Sequence, residues 1–145
     1  MNISPNAQQA EPADVPTWLD AAWLDAMVRG YVECALWSSY DSYDDGGKPL
    51  DAEHGPDDLD PAALAQFRTD CEAFATTCAA DLIDDDGRPM DAGQAGHDFW
   101  LTRNGHGTGF WDRGLGERGE RLSAMARPYR EVDLYLGDDG RIHAQ

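Results

Sequence analysis

Residues 96–119, GHDFWLTRNGHGTGFWDRGLGERG, gather the side chains of this chain that could do chemistry. His97 with Asp98, His106 and Asp112 could supply a general acid or base, because histidine titrates near neutrality and nearby carboxylates can orient it. The same four residues could supply two to three metal ligands, although no metal or cofactor is expected. Glycines at 105, 107 and 109 permit positive φ and close approach of backbone to a neighbour or ligand. Packing is the competing account. Phe99, Trp100, Phe110 and Trp111 can form a core, and Arg103 and Arg113 can pair with acidic helices. No nucleophile elbow, Walker loop, HExxH pair or paired-cysteine motif occurs. NGHGTGF follows a strand-like run without opening into a clean helix, so it is a poor phosphate cradle.

Charge divides the chain around this block. Of the 145 residues, 28 are acidic and 11 basic, a formal net charge of −17. Residues 1–98 hold 21 Asp and Glu against Arg29, Lys48, Arg68 and Arg88, and residues 99–145 hold seven acids and seven arginines. The first part therefore carries the whole excess, 4 − 21 = −17, and the second is neutral. A field of that sign repels phosphates and draws basic protein surfaces, so direct nucleic-acid binding by the acidic half is not expected. Solubility alone is the blander source of such acidity. Asp41, Asp44, Asp45, Asp57, Asp58, Asp84, Asp85 and Asp86, with Arg103, are the expected binding residues. Arg113, Arg118, Arg121, Arg127 and Arg130 could offer a surface to nucleic acid, but Glu117 and Glu120 interleave with them and favour self-pairing.

The elements that must position these groups follow from periodicity. Residues 1–16 have three prolines and no period, which predicts a loose arm ahead of one α+β domain over 17–145. From Asp20 to Ser39 the apolar residues Trp23, Leu24, Met27, Val28, Tyr31, Val32, Ala35 and Leu36 mark an amphipathic helix. Asp60-Pro61 is an N-cap and first-turn proline opening a second helix, with Leu64, Phe67, Cys71, Phe74, Cys78 and Leu82 on one face. The two helices are expected to pack together. His97–Arg103 alternates as a strand would and ends at the turn signal Asn104-Gly105. Leu115–Arg127 reads as a third helix stopped by Pro128. Glu131–Leu136 and Arg141–His143, joined by Gly137–Gly140, read as a hairpin. The expected fold is thus two N-terminal amphipathic helices packed with a small antiparallel sheet and a third helix. Cys34, Cys71 and Cys78 are an odd set without a redox or zinc spacing, expected as packed, reduced thiols.

An echo at an offset of 40 joins Asp44, Asp45, Gly47, Pro49, Asp51 and Ala52 to Asp84, Asp85, Gly87, Pro89, Asp91 and Ala92, with Lys48 matched by Arg88. It is either a duplicated unit or recurrent turn chemistry. Neither turn meets the EF-hand pattern, because Tyr43 and Ala52 stand at positions 3 and 12 of the first and Leu82 stands first in the second. No apolar run approaches the ~20 residues of a membrane span, and the start MNISPNAQQAEPADVP has neither basic nor apolar leader regions, so a cytoplasmic protein is expected.

The strings ECALWSSYD, GGKPLDAEH, AGHDFWLTRNGHGTGFWDR and EVDLYLGDDGRIH, in that order, resemble a widespread family of small proteins carried by bacteriophages and conjugative plasmids, usually without assigned function. The resemblance runs from about Trp23 onward and implies a mobile-element accessory protein, with no catalytic residues to carry over. The acidic N-terminal arm and the DDDGRPMDAG turn depart from its pattern. Together with the charge, it points to a non-catalytic acidic module binding a basic host or mobile-element protein, in its sharpest form a DNA mimic. The alternative is a small enzyme or nucleotide- or metal-binding protein using residues 96–112.

Overall fold

The computed structural model describes residues 15–42 and 46–145, so most of the expected arm, and Asp44 and Asp45, lie outside the described residues. The fold is α+β, with four helices and a two-stranded antiparallel sheet among the described residues. Helix α1 (Ala21–Ser38) starts where the Asp20 carboxylate accepts the Trp23 amide at 2.9 Å, and it buries Leu24, Met27, Val28, Tyr31, Val32, Ala35 and Leu36. Helix α2 (Pro61–Cys78) starts on Asp60, whose carboxylate accepts the Ala62 amide, with Pro61 in its first turn. It buries Ala63, Phe67, Cys71, Phe74, Ala75 and Cys78, whereas Leu64, expected on that face, is exposed.

Helix α3 (Ala92–Arg103) replaces the expected strand. Asp91 caps it through the Gln94 amide, and Asn104 with Gly105 at φ +70° ends it. The Asn-Gly pair is therefore a helix C-cap and not a hairpin turn. Ala95, Gly96 and every residue from Asp98 to Arg103 are buried and Gly93, Gln94 and His97 are half-buried, so α3 has too little water-facing surface to give it a helical period. Helix α1 packs mainly on α3, more than on α2. A Cβ on Gly96 would meet the Met27 carbonyl at 2.0 Å, and one on Gly30 would meet the Gly93 carbonyl at 2.2 Å, so the two backbones touch where only glycine fits.

Helix α4 (Glu117–Ala126) is two residues shorter at its start than the sequence suggested, because Gly116 at φ +65° sets the N-cap. Strands β1 (Leu134–Leu136) and β2 (Ile142–Ala144) pair antiparallel, Tyr135 opposite His143. Their hairpin docks on the start of α2 through the Asp60 amide, which donates to the Ile142 carbonyl at 2.8 Å. The core between the helices is aromatic: Phe74 stacks on Phe99 at 4.3 Å, and Trp100 meets Tyr31 edge-on at 5.3 Å while donating to the Ser38 hydroxyl. Trp111, expected in this core, is 47% exposed.

The two echoing loops share one closure. The Asp41 amide donates to the Lys48 carbonyl, the Asp41 carboxylate accepts the Lys48 amide, and Leu50 donates to Ser39. Asp84 and Arg88 make the same reciprocal pair, and Met90 donates to Leu82. Lys48 and Arg88, and Pro49 and Pro89, hold equivalent places at the offset of 40. The closing aspartates do not, because Asp41 stands seven residues before Lys48 and Asp84 four before Arg88. The two loops thus share a closure made by aspartates at different distances from the basic residue.

Candidate functional site

Arg103, at the last turn of α3, is 6% exposed and engaged within the molecule at each of its three nitrogens. Nη1 donates to the Tyr31 phenol at 3.1 Å and to Asp70 of α2 at 2.9 Å. Nε donates to the Arg130 carbonyl at 2.8 Å and Nη2 to the Tyr129 carbonyl at 2.6 Å. The guanidinium also lies against the Phe99 and Tyr129 rings, at 5.7 and 5.5 Å from their centres. Four of its roughly five N–H groups thus have partners. Burial pushes the Tyr31 phenol well above its ordinary range, with the Arg103 charge opposing, so the phenol stays neutral. Arg103 ties α1, α2, α3 and the 129–130 segment together.

The four candidates for acid–base chemistry separate into distinct roles. Asp98 has no exposed surface and is held by Arg113, whose Nε and Nη2 reach its oxygens at 2.7–3.1 Å, and by Gln94 at 3.0 Å. Asp112 is exposed and closes the single 3-10 turn Phe110–Asp112, accepting the Thr108 hydroxyl at 2.7 Å and the Gly109 amide at 3.1 Å. Those two bonds hold its carboxyl below the usual range. The His97 ring lies over exposed Trp37, with centroids 6.3 Å apart.

His106 is different. It lines a polar groove of about 270 Å³ with Ser38, Ser39, Trp100, Asn104, Glu131, Val132 and Asp133. Ser39 is 6% exposed, and neither its hydroxyl nor the His106 ring has a hydrogen-bond partner among the described residues. Asn104 fixes the groove by donating to the Trp100 carbonyl and accepting the Val132 amide at 2.8 Å. Beyond Glu131 lies a second, more open depression of about 500 Å³, lined by Thr102, Arg103, Gly105, Arg127, Arg130 and Glu131. The sequence pointed to His106 through its glycines, but nothing in SSYD or EVD marked Ser39, Glu131 or Asp133 as its neighbours.

Four arginines of the neutral third reach back to acids of the first 98 residues. Arg103 pairs with Asp70, Arg113 with Asp98, Arg118 with Asp85 and Arg121 with Asp81, all at 2.7–2.9 Å. Arg121 also approaches Glu117 at 3.8 Å, the pair expected along α4. Of the expected acidic binding residues, Asp41 and Asp84 close loops, Asp58 approaches His54 and Asp85 is paired. Asp57 and Asp86, and also Asp51, are exposed with no ion pair among the described residues.

Cys34, Cys71 and Cys78 are free and buried, and burial raises all three thiols, Cys34 to about 12 with Asp98 adding to the effect, and Cys78 to about 11. Among the described residues, no group of three or more His, Cys, Asp or Glu side chains is placed to hold a metal ion, and no helix is long and apolar enough to cross a membrane. Comparison with protein-family models, with curated proteins and with solved structures finds no match.

Proposed function

We propose that this protein is a non-catalytic, acidic binding module, a mobile-element accessory protein that docks on a basic surface of a host or mobile-element protein. One observation carries the reading. The cross-chain pairs take up Asp70, Asp81, Asp85 and Asp98, while Asp51, Asp57 and Asp86 face solvent with no cation beside them. Loop aspartates thereby present unpaired negative charge, in a chain of net charge −17, on a scaffold whose fully buried carboxylate, Asp98, is already neutralised. In its sharpest form the module stands in for DNA phosphates on a nucleic-acid-handling or defence protein.

A charge-neutralised variant, Asp51→Asn/Asp57→Asn/Asp86→Asn, tests this, because none of the three carboxylates supports the fold. DNA-binding proteins captured from a host extract by the parent should be released by rising salt and by duplex DNA, and the variant should capture far less. If no DNA-binding protein forms a salt-sensitive complex with the parent, mimicry is abandoned. The alternative, a small enzyme or nucleotide-binding protein, narrows to His106, which shares its groove with the unpartnered Ser39 hydroxyl. A loss of any hydrolytic or binding activity on His106→Gln, with folding intact, would favour it.

A further inference from the structure

Arg130 is the one non-glycine residue with positive φ among the described residues, at φ 69° and ψ 172°. That region of backbone is adopted almost only by glycine, and a side chain there is strained. The conformation aims the Arg130 carbonyl at Arg103 Nε, 2.8 Å away. A glycine would present the same carbonyl without strain, so the arginine side chain is not needed for that bond. Nor does the guanidinium repay the strain inside the molecule, since it is exposed and makes no hydrogen bond or ion pair among the described residues. Arg127, three residues earlier on the same 3-10 turn, is likewise exposed and unpaired. Arg113, Arg118 and Arg121 of the same third all have carboxylate partners.

We infer that Arg127 and Arg130 form an oxyanion-binding site over the open depression of about 500 Å³ that they line with Thr102, Gly105 and Glu131. Two guanidiniums with free N–H forks match the paired oxygens of a phosphate or carboxylate group. The buried Arg103 behind them is already paired with Asp70. Glu131 on the rim and the −17 charge of the chain disfavour an extended polyanion such as nucleic acid, which would reach into a repelling field, more than a compact anion held by the two guanidiniums. The ligand is thus a small molecule presenting a phosphoryl or carboxylate group. The site is independent of the acidic docking face, so either can fail alone.

The test is amide NMR of the full chain titrated with inorganic phosphate, pyrophosphate and citrate, which separate the phosphoryl from the carboxylate source, and with a short DNA duplex. Saturable shifts confined to residues 102–106 and 127–131 are expected with at least one small anion and not with the duplex. Arg127→Gln should weaken binding about tenfold or more, the worth of one charge-assisted hydrogen bond. Arg130→Gly should abolish binding and raise Tm by about 2–5 °C, strain relief outweighing the freedom of glycine in the unfolded chain. Shifts that survive both substitutions, no saturable shift with any of the three anions, or a lower Tm for Arg130→Gly would each overturn the assignment.

Discussion

The arginine-bearing third is fastened to the acidic part of the chain at two depths, and the contrast separates structure from display. In the interior, at α3, Arg103 and Asp98 sit 6% and 0% exposed, each in a network of three or more hydrogen bonds. On the surface, at α4, Arg118 and Arg121 reach Asp85 and Asp81 in pairs with one partner largely exposed, 84% for Asp85 and 54% for Arg121. The chemistry is the same, arginine to aspartate. What differs is the medium. A buried pair cannot lose one member without stranding the other, whereas water takes the place of an exposed partner.

Removing the deepest arginine should cost most. Arg103→Met strands Asp70, the Tyr31 phenol and two carbonyls, and should lower unfolding stability by about 3–5 kcal/mol, read as a shift of the urea midpoint. Cys71, one residue beyond Asp70 on α2 and wholly buried, should then react with a thiol reagent at lower urea than in the parent. Asp98→Asn should cost about 2 kcal/mol, less than Arg103→Met because Arg113 is 36% exposed and can turn to water. Arg118→Gln/Arg121→Gln should cost below about 1 kcal/mol, and a thermal melt at high salt should erase the difference from the parent. A cost near that of Arg103→Met would refute the contrast.

The smallest effect lies at the turns. Asp112 and Asp139 are held below their ordinary value of 3.8, Asp112 by Thr108 and the Gly109 amide, Asp139 by the Arg141 amide and His143. A carboxyl depressed in the folded state stabilises fully above its unfolded value and loses that contribution as pH falls through the folded one. The stability these two supply is therefore intact at neutrality and lost below about pH 4. Asp112→Asn should flatten the acid limb of a urea-midpoint-versus-pH curve slightly and leave α1–α3 unaffected.

How far the sequence foretold this depends on whether an element has a water-facing side. Helices α1 and α2 were legible because their apolar residues recur on one face and Asp20 and Asp60 cap them. The hairpin was legible from its alternation and its Gly-Asp-Asp-Gly turn. Helix α3 was not, because a helix with almost no water-facing surface has no clear period, and HDFWLTR therefore reads as alternation. Its real signals were Asp91, hidden among other turn aspartates, and Asn104-Gly105, which serves helix ends and hairpins alike. The same misreading placed Asp98 in a reactive block when it is an inward-facing ion pair. That Arg103 and Arg113 pair with acidic helices was foreseeable from charge. The strain at Arg130 was not, because Arg-Pro-Tyr-Arg-Glu contains no glycine to announce it.

The contact between α1 and α3 also governs when this chain can fold. Gly30 approaches Gly93, and Gly96 approaches Met27, at sequence separations of 93 − 30 = 63 and 96 − 27 = 69, so the central helix pair forms only by closing a long loop. Tyr31 packs on Phe67 of α2 and on Phe99 and Trp100 of α3, so the inner face of α1 is complete only when both helices are in place. Because closure over such a span must precede the contacts that reward it, commitment to the fold is a late, non-local event despite the helical content. The acidity of the first 98 residues, which are made first, keeps that waiting chain apart from its neighbours.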